Sequence, residues 1–409
     1  MSSQRRVVVT GIGMVTPFGT GRAVFWSNAI AGRSATRLIQ TFDPEPFRSK
    51  VVGECLDFDP SSVVDPSEVK RYDRFSLLAM AAADEALADS GLSPCSDRTG
   101  VVMGTGMAGA TTTDLQYEAM RTKGRRFVNP LTVPLVMPNA AASNIGLRHS
   151  LRGPSLTIST ACASGANAVG EGMRIIVHGY ADTILVGGVE AAINPGFYTV
   201  WDALRVMAKR DEDPAGASRP FSHDRTGFVM AEGAAVLVLE EREQAMNRGA
   251  SVYAELIGYG VTNDAYHVTR PSLEGETNAI RLAMSDAGVT SADVDYINAH
   301  GTATATNDVS ETNAIKTIFG DRAGNIPISS IKSMIGHSIG ASGAIEFAAT
   351  CMTIREQLIP PTINLVMPDP ECDLDYVPNQ ARSADIDVAI SNSFGFGGCN
   401  AILVARKHT

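Results

Sequence analysis

The sequence contains no C-x-x-C pair. Its six cysteines (55, 95, 162, 351, 372 and 399) stand at least 21 residues apart. That spacing excludes the usual local zinc motifs and does not resemble a disulfide framework. Each cysteine is therefore a small buried apolar residue or a reactive thiol, and no metal is expected. Basic residues are also short: 34 Lys and Arg against 44 Asp and Glu leave a net charge of −10. With no phosphate-neutralising excess and no run of five like charges, no nucleic-acid partner is expected. Long apolar runs are missing too. Gly233 to Leu239 stops at Glu240-Glu241, far short of the roughly 20 residues that span a bilayer, so no membrane partner is expected. Arg5-Arg6 precedes Val7-Val8-Val9, but glycines and Pro17 break that run and no small-x-small cleavage site follows. A cytoplasmic location is expected.

Glycine is plentiful, at 38 of 409 residues against the usual ~7%. The glycines are spread through apolar segments, which points to tight turns and close backbone approaches rather than linkers. Short β-branched runs alternate with Ala-rich helical stretches, the pattern of an α/β protein. Strands are expected at 6–10, 99–103, 183–186, 234–239, 252–257, 294–298, 326–331, 388–393 and 401–405. Helices are expected at 75–90, ended by Gly91, at 277–287 after Gly275, and at 341–357. A coarse symmetry is also visible. A strand at 156–160 runs into Ala161-Cys162-Ala163-Ser164-Gly165 and a helix to His178. A strand at 326–331 runs into Lys332-Ser-Met-Ile-Gly-His337 and a helix to Gln357. Two related halves would bring those turns together.

Three motifs compete. Gly104-Thr-Gly106-Met-Ala-Gly109 matches the dinucleotide fingerprint, but Arg125-Arg126-Phe127 follows where an acidic residue should hold the ribose. Gly336-His-Ser338-Ile-Gly340 matches a nucleophile elbow, yet only His408 lies downstream to serve it. Cys162 is the third candidate. A thiol at a helix N-terminus among small residues would be favoured as thiolate and open to substrate. His300 and His337, each beside a glycine at a strand's end, supply imidazoles for the same chemistry. Lys332, taken alone, reads as a surface residue.

Thr160-Ala-Cys162-Ala-Ser-Gly165, His300-Gly-Thr302-Ala-Thr304, Lys332-Ser-Met-Ile-Gly-His337 and Asn392-Ser-Phe-Gly-Phe396-Gly-Gly398 occur in this order. Together they resemble the β-ketoacyl-acyl-carrier-protein synthases of the elongating, Cys-His-His type. The resemblance runs from Val7 to the C-terminus. It implies a thiolase-like α/β fold, two pseudo-repeats stacked as an α-β-α-β-α sandwich, with halves at 1–250 and 251–409. It implies catalysis by Cys162, His300, His337 and Lys332, support from Glu346, and an oxyanion hole from the amides of Cys162 and Phe396. It makes Phe396 a gate among Gly395, Gly397 and Gly398, with Asp264 on a second moving loop, and places Met107, Thr302 and Thr304 in the substrate pocket. The segment 129–137 would line that pocket from a partner subunit.

No cofactor is implied, because phosphopantetheine arrives on the acyl carrier protein, the expected partner. Lys70, Arg71, Arg74, Arg205, Lys209 and Arg210 are the candidate docking residues for that acidic protein. The family implies a dimer, either with itself or with a homologous chain-length factor. Ser330 to Ser338 and Asp369 to Tyr376 look like type II polyketide ketosynthase subunits, whereas Asn392 to Gly398 looks like the fatty-acid-elongating enzymes. A carrier-binding subunit without chemistry is the alternative of a different class.

Overall fold

The computed structural model describes residues 5–92 and 96–409; Cys95 lies outside them. Strand β1 (Val7–Thr16) continues through Gly11-Ile12-Gly13 rather than stopping at residue 10. The reason is a helix lying on it. A Cβ on Gly11 would stand 2.2 Å from the Ala86 carbonyl oxygen, and one on Gly13 1.9 Å from that of Ala82. The glycines thus let α1 (Arg74–Ser90) rest on the strand backbone. That helix begins where the Asp73 carboxylate accepts the Phe75 amide, and it ends at left-handed Gly91, φ 62°. The first half continues with β2 (Thr99–Gly104), α2 (Ala140–His149), β3 (Ser155–Ile158), α3 (Ser164–Val177), β4 (Thr183–Glu190), α4 (Pro195–Leu204) and β5 (Gly233–Glu241). The second comprises β6 (Ala254–Asn263), α5 (Leu273–Ala287), β7 (Tyr296–Asn298), α6 (Ala305–Phe319), β8 (Ile328–Ser329), α7 (Ser342–Glu356), β9 (Val388–Gly395) and β10 (Cys399–Arg406). Gly275 falls inside α5 rather than ahead of it. Of the strand expected at 326–331, only two residues join a ladder.

The symmetry read from the sequence is a repeat of sheet topology. The strand order is β3-β2-β4-β5-β1 in the first half and β8-β7-β9-β10-β6 in the second. In each, the second strand in chain order runs parallel to the third and fourth, and the fourth, fifth and first pair antiparallel. The two sheets meet where Val7–Val9 pairs antiparallel with Ala254–Leu256. Helices α3 and α7 touch strands of both sheets, α1 and α2 cover the outer face of the first, and α5 covers that of the second with α6 beside it. The layers therefore run α-β-α-β-α. All nine residues of β5 are buried, the continuous apolar pattern of a strand covered on both faces. One core cluster joins Val7, Ile184 and Leu237 to Ile345 and Leu403 across the middle layer.

Within that layer α3 and α7 approach closely. A Cβ on Gly165 would lie 2.7 Å from the Ala344 nitrogen, and one on Gly343 2.7 Å from that of Ala166. Both glycines sit in the first turns of their helices, so the close approach also joins the two turns that precede them.

Candidate active site

Cys162 lies between β3 and α3. Its turn is fixed by the left-handed Ala161 (φ 51°) and by Ser164, whose Oγ accepts the Thr160 amide at 2.8 Å and donates to the Ala161 carbonyl at 2.6 Å. The end of β9 packs on this turn: a Cβ on Gly395 would meet the Thr160 carbonyl oxygen at 2.7 Å. The Phe396 amide lies near enough to the Cys162 sulfur to favour its thiolate.

His300 leaves the end of β7 and is held through its backbone. Its amide and that of Gly301 each donate to the buried Glu311 carboxylate at 2.8 Å, and Asn392 Nδ2 donates there at 3.0 Å. His337 follows the helical turn Lys332–Ile335 and Gly336 at φ 78°. Its amide donates to the Val229 carbonyl at 2.7 Å and its carbonyl accepts the Ala231 amide at 2.9 Å. Its Nδ1 lies 2.7 Å from Ser342 Oγ. These three anchorages bring one donor atom each of Cys162, His300 and His337 within 4.8 Å of one another. The two imidazole rings stand nearly perpendicular, 5.5 Å between centroids.

Lys332 is not the surface residue its charge suggests. Only 1% of it is exposed. Its Nζ donates to the His300 carbonyl at 2.7 Å, faces His300 Nδ1 at 3.3 Å and contacts the Glu346 carboxylate. An ammonium can only donate, so His300 Nδ1 accepts and its proton is on Nε2. Glu346 is the ionic partner expected. Burial raises its carboxyl, and the Lys332 ammonium opposes that rise.

Burial also sets the reactive groups. Both imidazoles are pushed well below the ordinary histidine value, first by burial and then by Lys332, so they are neutral at pH 7. The Cys162 thiol is pushed up to about 11 by burial, although Lys332 and the Phe396 amide pull it down. The expected thiolate at the helix N-terminus is therefore corrected: desolvation outweighs the favourable groups, and the resting residue is a thiol.

A cavity of about 310 Å³ opens onto these side chains, lined also by Asp264, Thr302, Thr304, Gly395, Phe396 and Gly398. Gly397, exposed, donates its amide to the Val268 carbonyl at 2.7 Å. The loop after β6 is tied to the Phe396 loop in three further places. The Asp264 amide donates to the Gly398 carbonyl at 2.9 Å, Asn263 Nδ2 to the Gly397 carbonyl at 2.9 Å, and Asn400 Nδ2 to the Asp264 carboxylate at 2.6 Å. Met107 lies beside the cavity wall, in an apolar cluster with Trp201, Ile339 and Phe396.

The amides that a dinucleotide would need are already used. Those of Gly106, Met107 and Gly340 donate to Glu190 at 2.8, 3.0 and 3.0 Å. Ser338 is buried, with its hydroxyl toward the Glu232 carbonyl at 3.4 Å. The residues the sequence reading missed are Glu311, Glu190, Ser342, Trp201 and Arg270. The first three act through contacts distant in sequence or by backbone geometry. Arg270, exposed at the cavity rim, was legible only as a loop charge.

Two docking candidates are corrected. Arg74 is engaged with Glu232 at 2.6 and 2.8 Å and with the Cys55 carbonyl at 2.9 Å, and Arg210 lies between Asp224 and Asp213. Their charge is balanced inside the fold. Lys70, Arg71, Arg205 and Lys209 are exposed, Arg71 beside Glu68 at 2.7 Å. Arg205 adjoins Leu204 and Val206, which line the cavity.

A doubled five-layer sandwich with a thiol and two neutral imidazoles at the meeting of its halves defines a condensing enzyme of the thiolase-like class. The chain belongs to the β-ketoacyl synthase family: residues 4–245 match the N-terminal domain of beta-ketoacyl synthase and residues 253–366 its C-terminal domain. It is thus an acyltransferase of the carbon–carbon bond-forming kind. It is 45% identical to 3-oxoacyl-[acyl-carrier-protein] synthase 2 of Synechocystis sp., over 99% of each chain. It is 43% identical to the enzyme of that name in Staphylococcus aureus, over 100% of this chain and 99% of the relative. Two solved structures superpose with a TM-score of 0.92. One is a type II polyketide ketosynthase in complex with its acyl-carrier protein, AntDE:AntF, described as bound to the hexaketide (37% identity, 100% of each chain). The other is the ishigamide ketosynthase/chain length factor (35% identity, 100% of each chain).

Proposed function

We propose that the chain is the ketosynthase subunit of a type II polyketide system, acting on acyl and malonyl groups delivered by an acyl carrier protein. The observation that carries the condensing chemistry is the convergence of Cys162, His300 and His337 at one end of the cavity. Cys162 attacks the acyl thioester. The bond from acyl carbon to pantetheine sulfur breaks, the bond to the Cys162 sulfur forms, and the thiol proton ends on the departing pantetheine. The Cys162 and Phe396 amides stabilise the tetrahedral oxyanion. Malonyl carrier protein then enters, and its bond to the carboxylate breaks as carbon dioxide leaves. The electron pair passes into an enolate whose oxygen accepts Nε2–H bonds from His300 and His337. The Lys332 ammonium at His300 Nδ1, and a Ser342 hydroxyl donating to His337 Nδ1, keep both protons on Nε2. The carbanion then forms the new carbon–carbon bond at the acyl carbonyl, the bond from that carbon to the Cys162 sulfur breaks, and the thiolate takes a proton from solvent to return to the resting thiol. These steps need no metal or redox cofactor.

Phe396 and the Asp264 loop act as linked gates, because each moves only by breaking hydrogen bonds to the other. Lys70, Arg71, Arg205 and Lys209 are the proposed carrier-docking cations, with Arg270 added at the rim. The enzyme works as a dimer in the cytoplasm, with itself or a homologous chain-length factor. In support, strand β3 is the edge of its sheet among the described residues, with Leu156 49% exposed, and Leu131 and Val133 of the 129–137 segment stand in solvent. Among the described residues no helix is long and apolar enough to cross a membrane.

The polyketide reading draws on residues 330–338 and 369–376 and on the superposed ketosynthases. Fatty-acid elongation is the second reading, favoured by the higher identity to the synthase 2 enzymes. The test is intact-protein mass after incubation with acyl carrier protein thioester, beside Cys162→Ala. An acyl adduct on the native chain alone supports the nucleophile; no adduct, with or without a co-expressed homologue, refutes it and leaves the carrier-binding alternative. Full elongation to fatty-acyl products by the homodimer would select the second reading.

A further inference from the structure

Trp201, on the last part of α4, forms part of the cavity wall and is 7% exposed. Its ring stacks on Phe396 (centroids 6.1 Å apart, planes 29°) and stands edge-on to Phe228 at 5.6 Å, which in turn meets His337 edge-on at 5.5 Å. The indole is therefore coupled to the gate on one side and lies one ring from the His pair on the other. Its N–H is buried and meets no acceptor among the described residues. Packing does not account for that group. A phenyl ring would stack on Phe396 equally well without leaving a buried donor unpaired, and buried Trp N–H groups ordinarily find a partner. Its neighbours supply none. Met107, Ile339, Phe228 and Phe396 are apolar, and the Tyr198 hydroxyl is engaged with the Ser49 carbonyl at 3.0 Å. Phe396 packs against the ring, so movement of the gate changes the surroundings of the indole.

We infer that the Trp201 indole N–H is a specificity determinant that reads an oxygen, carbonyl or hydroxyl, on the acyl chain attached to Cys162. A saturated hydrocarbon chain leaves the donor unpaired in the closed complex. A chain carrying an oxygen at the right depth pairs it. Sites built around a buried donor discriminate strongly against ligands that lack its partner. The inference deepens the polyketide reading and rests on Cys162 being the acylated nucleophile.

The test compares carrier proteins loaded with octanoyl, 3-oxooctanoyl and 5-oxooctanoyl groups, reading kcat/KM for acylation of Cys162 by intact mass. The native enzyme is expected to favour at least one oxo chain about tenfold or more over octanoyl. Trp201→Phe, which keeps the stack and deletes the donor, is expected to erase that preference, so that the oxo and octanoyl chains react with equal kcat/KM. Absence of a preference in the native enzyme, or its survival in Trp201→Phe, overturns the inference. Failure of every chain to acylate Cys162 overturns the condensing reading itself, a different result. Because Trp201→Phe could fold poorly, a second measurement uses native protein labelled with ¹⁵N-tryptophan, the signals assigned with Trp26→Phe. The Trp201 indole proton should move downfield in the oxoacyl enzyme relative to the octanoyl enzyme. An unmoved signal counts against the hydrogen bond.

Discussion

Glu311→Gln is a near-isosteric change with a large expected effect. Glu311 is wholly buried, and burial raises its carboxyl above the ordinary value. Yet one carboxylate oxygen accepts the His300 amide and Asn392 Nδ2, and the other accepts the Gly301 amide. The N–H donors on both oxygens favour the ionised form and oppose the rise that burial causes. Glutamine keeps one acceptor and turns the other into an NH₂ facing an N–H. The loss is one charge-assisted hydrogen bond, about 1.5–3 kcal/mol, plus a stranded buried amide at about 1–3 kcal/mol, so about 2.5–6 kcal/mol in all. The damage falls on the loop that aims His300, not on Cys162. Denaturant unfolding should report the stability loss. Acyl transfer to Cys162 should continue within a few-fold, while decarboxylation of malonyl carrier protein falls by at least a hundredfold. A Glu311→Gln enzyme of native stability and native condensation rate would show that Glu311 is protonated and that the backbone anchorage of His300 is unimportant.

Three further outcomes are expected. With the Cys162 thiol at about 11, alkylation by iodoacetamide in the substrate-free enzyme should rise about tenfold per pH unit between pH 7 and 9; a rate flat over that range would mean a preformed thiolate. His300 and His337 are depressed well below their unfolded value, so on acidification below about 6.5 the unfolded chain takes up protons that the folded chain refuses. Stability then falls with falling pH, by about 2–3 kcal/mol between pH 6 and 5 for the pair, beyond what His300→Asn/His337→Asn loses. Equal slopes in urea midpoints against pH would refute neutral burial. Gly343→Ala places a methyl 2.7 Å from the Ala166 nitrogen. It should lower stability by about 2 kcal/mol or more and reduce condensation through the displaced turns, whereas Gly249→Ala, with open space around it, controls for the loss of a glycine alone; its strain at φ 73° should be the smaller cost.

What was legible in the sequence and what was not differ in the range over which the deciding contact acts. Gly91 ends α1 by its own φ, and Cys162, His300 and His337 stand in turns whose residues are local, so all could be found by reading along the chain. The strand at Val7–Thr16 looked shorter because glycine disfavours strands locally, and the helix that requires Gly11 and Gly13 lies about 70 residues away. Lys332 looked like a surface charge because its partner sits 14 residues on and its burial is created by both halves at once. The Cys162 thiol was misjudged for a related reason. A helix N-terminus is visible in sequence, but desolvation is a property of the assembled middle layer, and it outweighs the local field. Glu311 and Glu190 belong to the same group: each gathers backbone amides from turns that carry reactive residues or glycines, and neither matches a motif. A carboxylate of this kind can be sought in sequence only where a turn already suspected of chemistry has more N–H groups than its own loop can satisfy. The His300-Gly301 turn is such a case, with an acidic residue one helix further along the chain as the natural acceptor. Trp201 inverts that logic, since there the donor is inside the fold and the acceptor is not, which is the reason to look for it on the substrate.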